Sequence, residues 1–154
     1  MPPTDSTRSD HHRKLERLYL QAPVNAWYRP RIHIEEGRAE IVVPVREEHF
    51  HAAHAVHGSV YFKVLDDAAF FAANSVLEDV FVLTASFQLD LLRPVSSGEI
   101  RAEGRLIHRT RRLFIAESKA EDSEGNLIAR GSGTFMRSSI RLDERVGYVE
   151  PDPP

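Results

Sequence analysis

Cysteine is absent from the 154 residues, which rules out disulfides, a thiolate nucleophile and thiolate metal sites. Long apolar runs are missing too. No stretch approaches the roughly 20 residues that a membrane helix requires, and no apolar segment follows the basic residues near the start. Neither a secretory signal nor a membrane span is therefore expected, and the cytoplasm is the expected compartment. An excess of positive charge is lacking as well. Twenty Lys and Arg against 23 Asp and Glu give a net charge of -3, where a nucleic-acid-binding domain would be basic. The chain also has no internal repeat, no low-complexity tract and no Gly-rich phosphate loop.

What is present suits a single core. At 42% hydrophobic content, a chain of this length buries roughly two-thirds of its unfolded surface as one domain. The polar, Pro-containing start and the Glu-Pro-Asp-Pro-Pro end divide it into a flexible segment 1–12, one domain 13–141 and a flexible tail 142–154. Leu15, Leu18 and Tyr19 recur at helical spacing between His12 and Ala22, predicting a short amphipathic helix that packs as a lid. Arg31–Ile34 and Ala39–Val45 read as a hairpin about Glu36-Gly37. Phe87, Leu89 and Leu91 alternate with Ser86, Gln88 and Asp90, as in a half-buried strand. Ile100–Ile107, Leu113–Glu121 and Leu127–Phe135 complete an antiparallel set. One long helix amid five or six such strands is an α+β layout with the helix on one face.

That helix runs through His57–Ser75 and carries the chemistry. Phe62, Leu65, Ala69, Ala72 and Val76 form an apolar stripe that Val64, Ala68 and Phe71 widen until little polar surface is left. Asp66 and Asp67 lie about 100° apart around its axis, so at least one faces protein. A buried carboxylate without a partner costs several kcal/mol and responds with a raised pKa, which suits a general base. At the helix start, Gly58 allows close approach to unpaired N–H groups backed by the positive end of the helix dipole. Gly58 and Asp66 are about 12 Å apart along the axis, too far to close on one reacting atom. Either the site spans two copies of the helix, or only one of the two groups touches the chemistry.

His57-Gly58 followed by Asp66, nine residues after the His, resembles the helix motif of hotdog-fold acyl-CoA thioesterases of the phenylacetyl-CoA thioesterase type. The segments Thr84–Pro94, Arg109–Leu113 and Glu124–Phe135 are similar to that family's strands and hairpin turn, and the likeness runs from about Val45 to Arg137. The resemblance implies a hotdog fold, an antiparallel sheet wrapped around one long central helix. It also implies a homodimer or homotetramer in which the Gly of one subunit and the Asp of another face one thioester. Carried over residue by residue, it makes Asp66 the base or nucleophile, Gly58 N–H the carbonyl donor, His57 a neighbour of the sulfur and Thr84 the group that orients water. Ser59 replaces the family's second Gly, Thr84 stands where relatives have Ser, and His51 takes a position held by Asn or Gln in some members.

The substrate expected on this resemblance is an acyl-CoA bearing a small aryl or medium acyl group. Ser59 and Phe62 are expected to shape its entrance, Phe70, Phe71 and Phe87 are further pocket candidates, and Arg109, Arg111 and Arg112 are expected to hold nucleotide phosphates. Other readings compete with these. Asp66 could simply pair with Lys63 or a nearby Arg, and the arginines could form a solvated strand face with Glu99 and Glu103. His49-Phe50-His51-Ala52-Ala53-His54 approaches the His-x-His-x-Asp-His run of metallo-β-lactamase-like hydrolases, but Ala53 occupies the Asp position. No metal and no cofactor is expected. A noncatalytic acyl-CoA sensor on the same fold is the alternative function. A dehydratase would want its His and Asp together early on the helix, whereas His57 precedes it.

Overall fold

The computed structural model describes residues 5–153, with side chains from residue 10 onward. The first four residues of the expected segment 1–12, and the last residue of the expected tail, lie outside that range. In chain order the elements are α1 (Asp5–Gln21), α2 (Asn25–Tyr28), β1 (Arg31–Glu35), β2 (Arg38–Pro44), a 3-10 turn (Glu47–His49), α3 (Gly58–Asn74), β3 (Val80–Leu91), β4 (Glu99–Arg109), β5 (Leu113–Glu121) and β6 (Leu127–Arg141). The strands form one antiparallel sheet in the order β1-β2-β4-β5-β6-β3, which leaves β1 and β3 at its edges.

Helix α3 lies across this sheet and is the long helix expected from the sequence. Val60, Val64, Leu65, Ala68, Phe71 and Ala72 are buried along it, each large side chain stabilising the fold by about 1.5–3 kcal/mol. Its small residues let it sit close to the strands. A Cβ on Gly104 of β4 would lie 2.0 Å from the Ala68 carbonyl oxygen, so only glycine permits this contact. Ser118 of β5 donates from Oγ to the Leu65 carbonyl at 2.7 Å and fixes the helix along its length. Among the described residues, no helix is long and apolar enough to cross a membrane.

Both ends of the chain pack further than the expected boundaries. The α1 backbone is helical from Asp5, earlier than the apolar pattern beginning at Leu15 reveals. His11 is buried in that extra length, with Nε2 3.0 Å from the Asn74 carbonyl and Nδ1 2.7 Å from the Tyr148 hydroxyl. Beyond residue 141, where a free tail was expected, Leu142, Val146 and Tyr148 are partly buried against the core. The polar pair His11 and Tyr148 joins the two ends, a contact that hydrophobic periodicity does not register.

Candidate active site

Two features bring Asp66 to the β3 edge. Asn74, fully buried at the end of α3, donates from Nδ2 to the Leu77 and Val80 carbonyls and accepts at Oδ1 from the Val82 N–H at 2.9 Å. The helix is thereby tied to the start of β3. The pairing of β3 with β6 then slips between Thr84 and Ser86, where the extra residue forms a β-bulge. Residues on β3 before the bulge face the helix at even positions, and those after it at odd ones. Val82 and Thr84 therefore share a face with Phe87, Leu89 and Leu91. From that face Thr84 Oγ1 donates to Asp66 Oδ1 at 2.9 Å.

The two neighbouring carboxylates have different surroundings. Asp67 accepts from the Tyr19 hydroxyl at 2.7 Å and from the Lys63 ammonium one turn earlier. Lys63 in turn sits over the Tyr19 ring at 4.9 Å and near the Tyr28 ring at 5.2 Å, a cation–π arrangement. Burial pushes the Asp67 pKa upward, with Lys63 and Tyr19 pulling the other way. Asp66 has only the Thr84 hydroxyl among the described residues. Burial pushes its carboxyl up to about 6, opposed by the Thr84 hydrogen bond, reinforced by the charge of Asp67 and moderated by Lys63. Lys63 pairs with Asp67, so the simple ion-pair reading of Asp66 does not hold.

At the far end of α3, His57 is the N-cap, and its Nδ1 accepts from the Ser59 N–H at 3.0 Å. The Ser59 hydroxyl lies 2.9 Å from the same nitrogen, so this side chain turns to the cap. With Nδ1 accepting, the proton of the neutral ring resides on Nε2. Gly58, first residue of the helix, makes no hydrogen bond from its N–H among the described residues, as the geometry of a helix start dictates. A Cβ there would meet Leu91 Cδ1 at 3.1 Å.

The aromatic candidates divide into two groups. Phe62 is 40% exposed and meets Phe87 edge-on at 5.5 Å, on the same side as Asp66 and Thr84. Phe70 and Phe71 instead pack in the core against Phe81, Phe135 and Tyr19, which removes them from the pocket candidates. Arg109, Arg111 and Arg112 are exposed around the β4–β5 turn, separated from β3 by β6, and make no ion pair among the described residues. Within one chain they do not meet Asp66. Glu99 and Glu103 pair with Arg31 and Arg38, so they do not neutralise this turn. The histidine run does not converge. His49 is buried between aromatic rings while His51 and His54 are exposed, and no group of three potential ligands is brought together among the described residues. Tyr19 is the residue that the sequence did not single out for the site, and Lys63 pairs with Asp67 where it was weighed as a partner of Asp66.

Comparison with known proteins bears on the family and the fold. A family model described as the thioesterase superfamily matches residues 53–129, half of the chain. A candidate esterase of Saccharolobus solfataricus is 25% identical over 112 residues, covering 71% of this chain and 80% of that protein. Among solved structures, a thioesterase family protein from Silicibacter pomeroyi is similar at 26% identity and a TM-score of 0.75, covering 82% of this chain and 97% of that one. The PaaI protein from the phenylacetic acid degradation operon of E. coli shares the fold at a TM-score of 0.79 and 17% identity, over 87% of this chain and 97% of its own. A six-stranded antiparallel sheet wrapped on one long helix, with this match across α3 and the strands that follow, means that the chain belongs to the thioesterase superfamily and has its hotdog fold.

Proposed function

We propose that this protein is an acyl-CoA thioesterase acting on a small aryl or medium acyl group, with each site shared between two subunits. The observation that carries the reading is Asp66: a carboxyl raised to about 6, held by a single hydroxyl, beside a neighbour whose charge is fully engaged. A group poised there is deprotonated at neutral pH and can take a proton from water.

The two-copy arrangement has physical support. The β3 edge presents twelve residues with no charged side chain before Asp90, and Leu83, Leu91 and Leu92 are exposed along and just beyond it. A long, uncharged edge is a template for another strand, and a second copy pairing there would bring its own α3 start toward Asp66. The Gly58 N–H of one subunit then holds the thioester oxygen as charge develops on it. Asp66 of the other acts as general base on water, or as nucleophile through a transient anhydride. On the general-base route the carbon–sulfur bond breaks, and the proton taken by Asp66 from water passes to the departing thiolate. On the nucleophilic route the thiolate leaves as the anhydride forms and takes its proton from solvent, and water then hydrolyses the anhydride to release the acid and restore Asp66. Phe62 and Phe87 line the acyl side, while Arg109, Arg111 and Arg112 supply charge for nucleotide phosphates.

The test is release of free thiol from acyl-CoA thioesters of graded length and from aryl-acyl-CoA, with Asp66→Asn beside the parent. Turnover in the parent and its loss in the variant are expected. Acyl-CoA binding without thiol release would replace this reading with the sensor function, and full activity in Asp66→Asn would remove Asp66 from the chemistry.

A further inference from the structure

We propose that His49 is a positioning residue for this site: its neutral ring, clamped between Trp27 and Tyr28, holds the loop that ends at His57 and Gly58, and protonation releases that loop. The kinetic consequence rests on the thioesterase reading, whereas the release is a property of the fold.

His49 stands at the root of the loop. Its ring is 2% exposed, 4.5 Å from Trp27 edge-on and 5.3 Å from Tyr28 in a stack. Neither ring nitrogen has a hydrogen-bond partner among the described residues. Its carbonyl accepts from the His57 N–H at 2.8 Å, so the residue before Gly58 hangs directly from His49. Residues 50–56 are wound tightly between these points. The His51 N–H donates to the Ala55 carbonyl at 2.9 Å, and Phe50 bridges to Val56. His54 is left-handed at φ 64, a conformation that costs a non-glycine residue about 1–2 kcal/mol. The far end of the loop is tied separately, by the Val56 N–H donating to the Val95 carbonyl at 2.9 Å, so His49 governs the stretch between this tie and Gly58.

A phenyl ring would fill the same slot without unpaired polar atoms, each of which costs about 1–3 kcal/mol when buried. What imidazole adds is the capacity to take a proton. Burial keeps the ring neutral, and the Arg46 cation acts in the same direction. Glu48 and the Trp27 carbonyl favour the proton, but that carbonyl already accepts from Arg46 Nη1 at 2.6 Å. From α3, Lys63 lies 5.2 Å from the Tyr28 ring, its charge paired with that of Asp67. An imidazolium carries two N–H donors, and with the Trp27 carbonyl shared with Arg46 at least one of them is satisfied best by water. The cover over it is thin, since Trp27 is itself 46% exposed and α2 is four residues long.

Trp27 is the one tryptophan in the chain, so its emission reports on the clamp without a label. Emission and its quenching by acrylamide are followed from pH 8 to pH 5 in the parent, His49→Phe and His49→Gln, with amide hydrogen exchange over residues 50–58. The parent is expected to show an emission change below about pH 6.5 together with faster exchange in the loop, and both variants to lack both. Thioester turnover, scaled to each protein's own plateau, is expected to fall with two protons in the parent and one in His49→Phe. An emission change that persists in both variants overturns the clamp. Loss of the emission change with the same one-proton fall in parent and variant overturns the positioning role. If no acyl-CoA is turned over, the thioesterase reading fails, while emission and exchange still decide the release.

Discussion

Replacing Asp66 with asparagine is expected to stabilise the protein while abolishing turnover, by an amount that grows with pH. The folded carboxyl titrates at about 6 against an ordinary 3.8, so the folded state binds the proton more tightly than the unfolded chain. The associated stability is complete below the ordinary value and is lost as pH rises through about 6. Linkage between these two values puts the cost of the carboxylate at about 1 kcal/mol at pH 4.5 and about 3 kcal/mol at pH 8. Asparagine does not titrate, and its amide oxygen can still accept from Thr84. Allowing half of the cost for imperfect pairing of the amide leaves a gain of about 1.5–3 kcal/mol at pH 8. For a domain of this size that raises the melting temperature by about 3–12 °C, against about 1–4 °C at pH 4.5. Thermal unfolding at fixed protein concentration in the two buffers measures it. Destabilisation at pH 8, or an equal gain at both pH values, would mean that Asp66 is well solvated and would remove the basis for its role as a base.

Thr84→Val is expected to shift the acidic limb of kcat/KM to higher pH, because the lost hydrogen bond lowers the Asp66 pKa; a pH–rate profile checks the direction. Asp67→Asn is expected to shift the same limb to lower pH by removing a neighbouring negative charge. It also lowers the melting temperature, since Lys63 loses its partner in a half-buried position. Gly104→Ala forces a Cβ into the α3 backbone and is expected to cost more than about 3 kcal/mol, read by denaturant unfolding or as loss of soluble protein. Replacing Arg109, Arg111 and Arg112 together with alanine is expected to raise KM for acyl-CoA roughly tenfold with kcat little changed, and to leave KM for acyl-pantetheine, which lacks the nucleotide, unaltered.

Much of the architecture is legible because apolar residues mark it directly. The periodic stripe through Leu65 and Ala69 delimits α3, and alternation from Leu113 to Glu121 delimits β5 at the residues observed. The bulge leaves no such trace: Val80–Leu83 is apolar at even and odd positions alike, and alternation is clear only from Phe87 onward. The division of labour between Asp66 and Asp67 is not visible in that way. It depends on Tyr19, 48 residues earlier in the chain, reaching one carboxylate and not the other. Four phenylalanines look alike in the sequence, and only the placement of α3 against the sheet sends Phe70 and Phe71 inward and Phe62 and Phe87 to the edge. His11, His49 and Tyr148 are polar residues in structural positions, to which hydrophobic patterning is blind.

Asn74 has a consequence for assembly. With one amide joining the end of α3 to the first residues of β3, the acid and the hydroxyl that holds it are mutually oriented within a single chain. On the proposed two-subunit site, a second subunit arriving at that edge would meet a template that is already rigid, and association would be spared the entropy of ordering it. In such an assembly the affinity between subunits could vary with the surface they share while the alignment of the Asp66 carboxyl stayed constant.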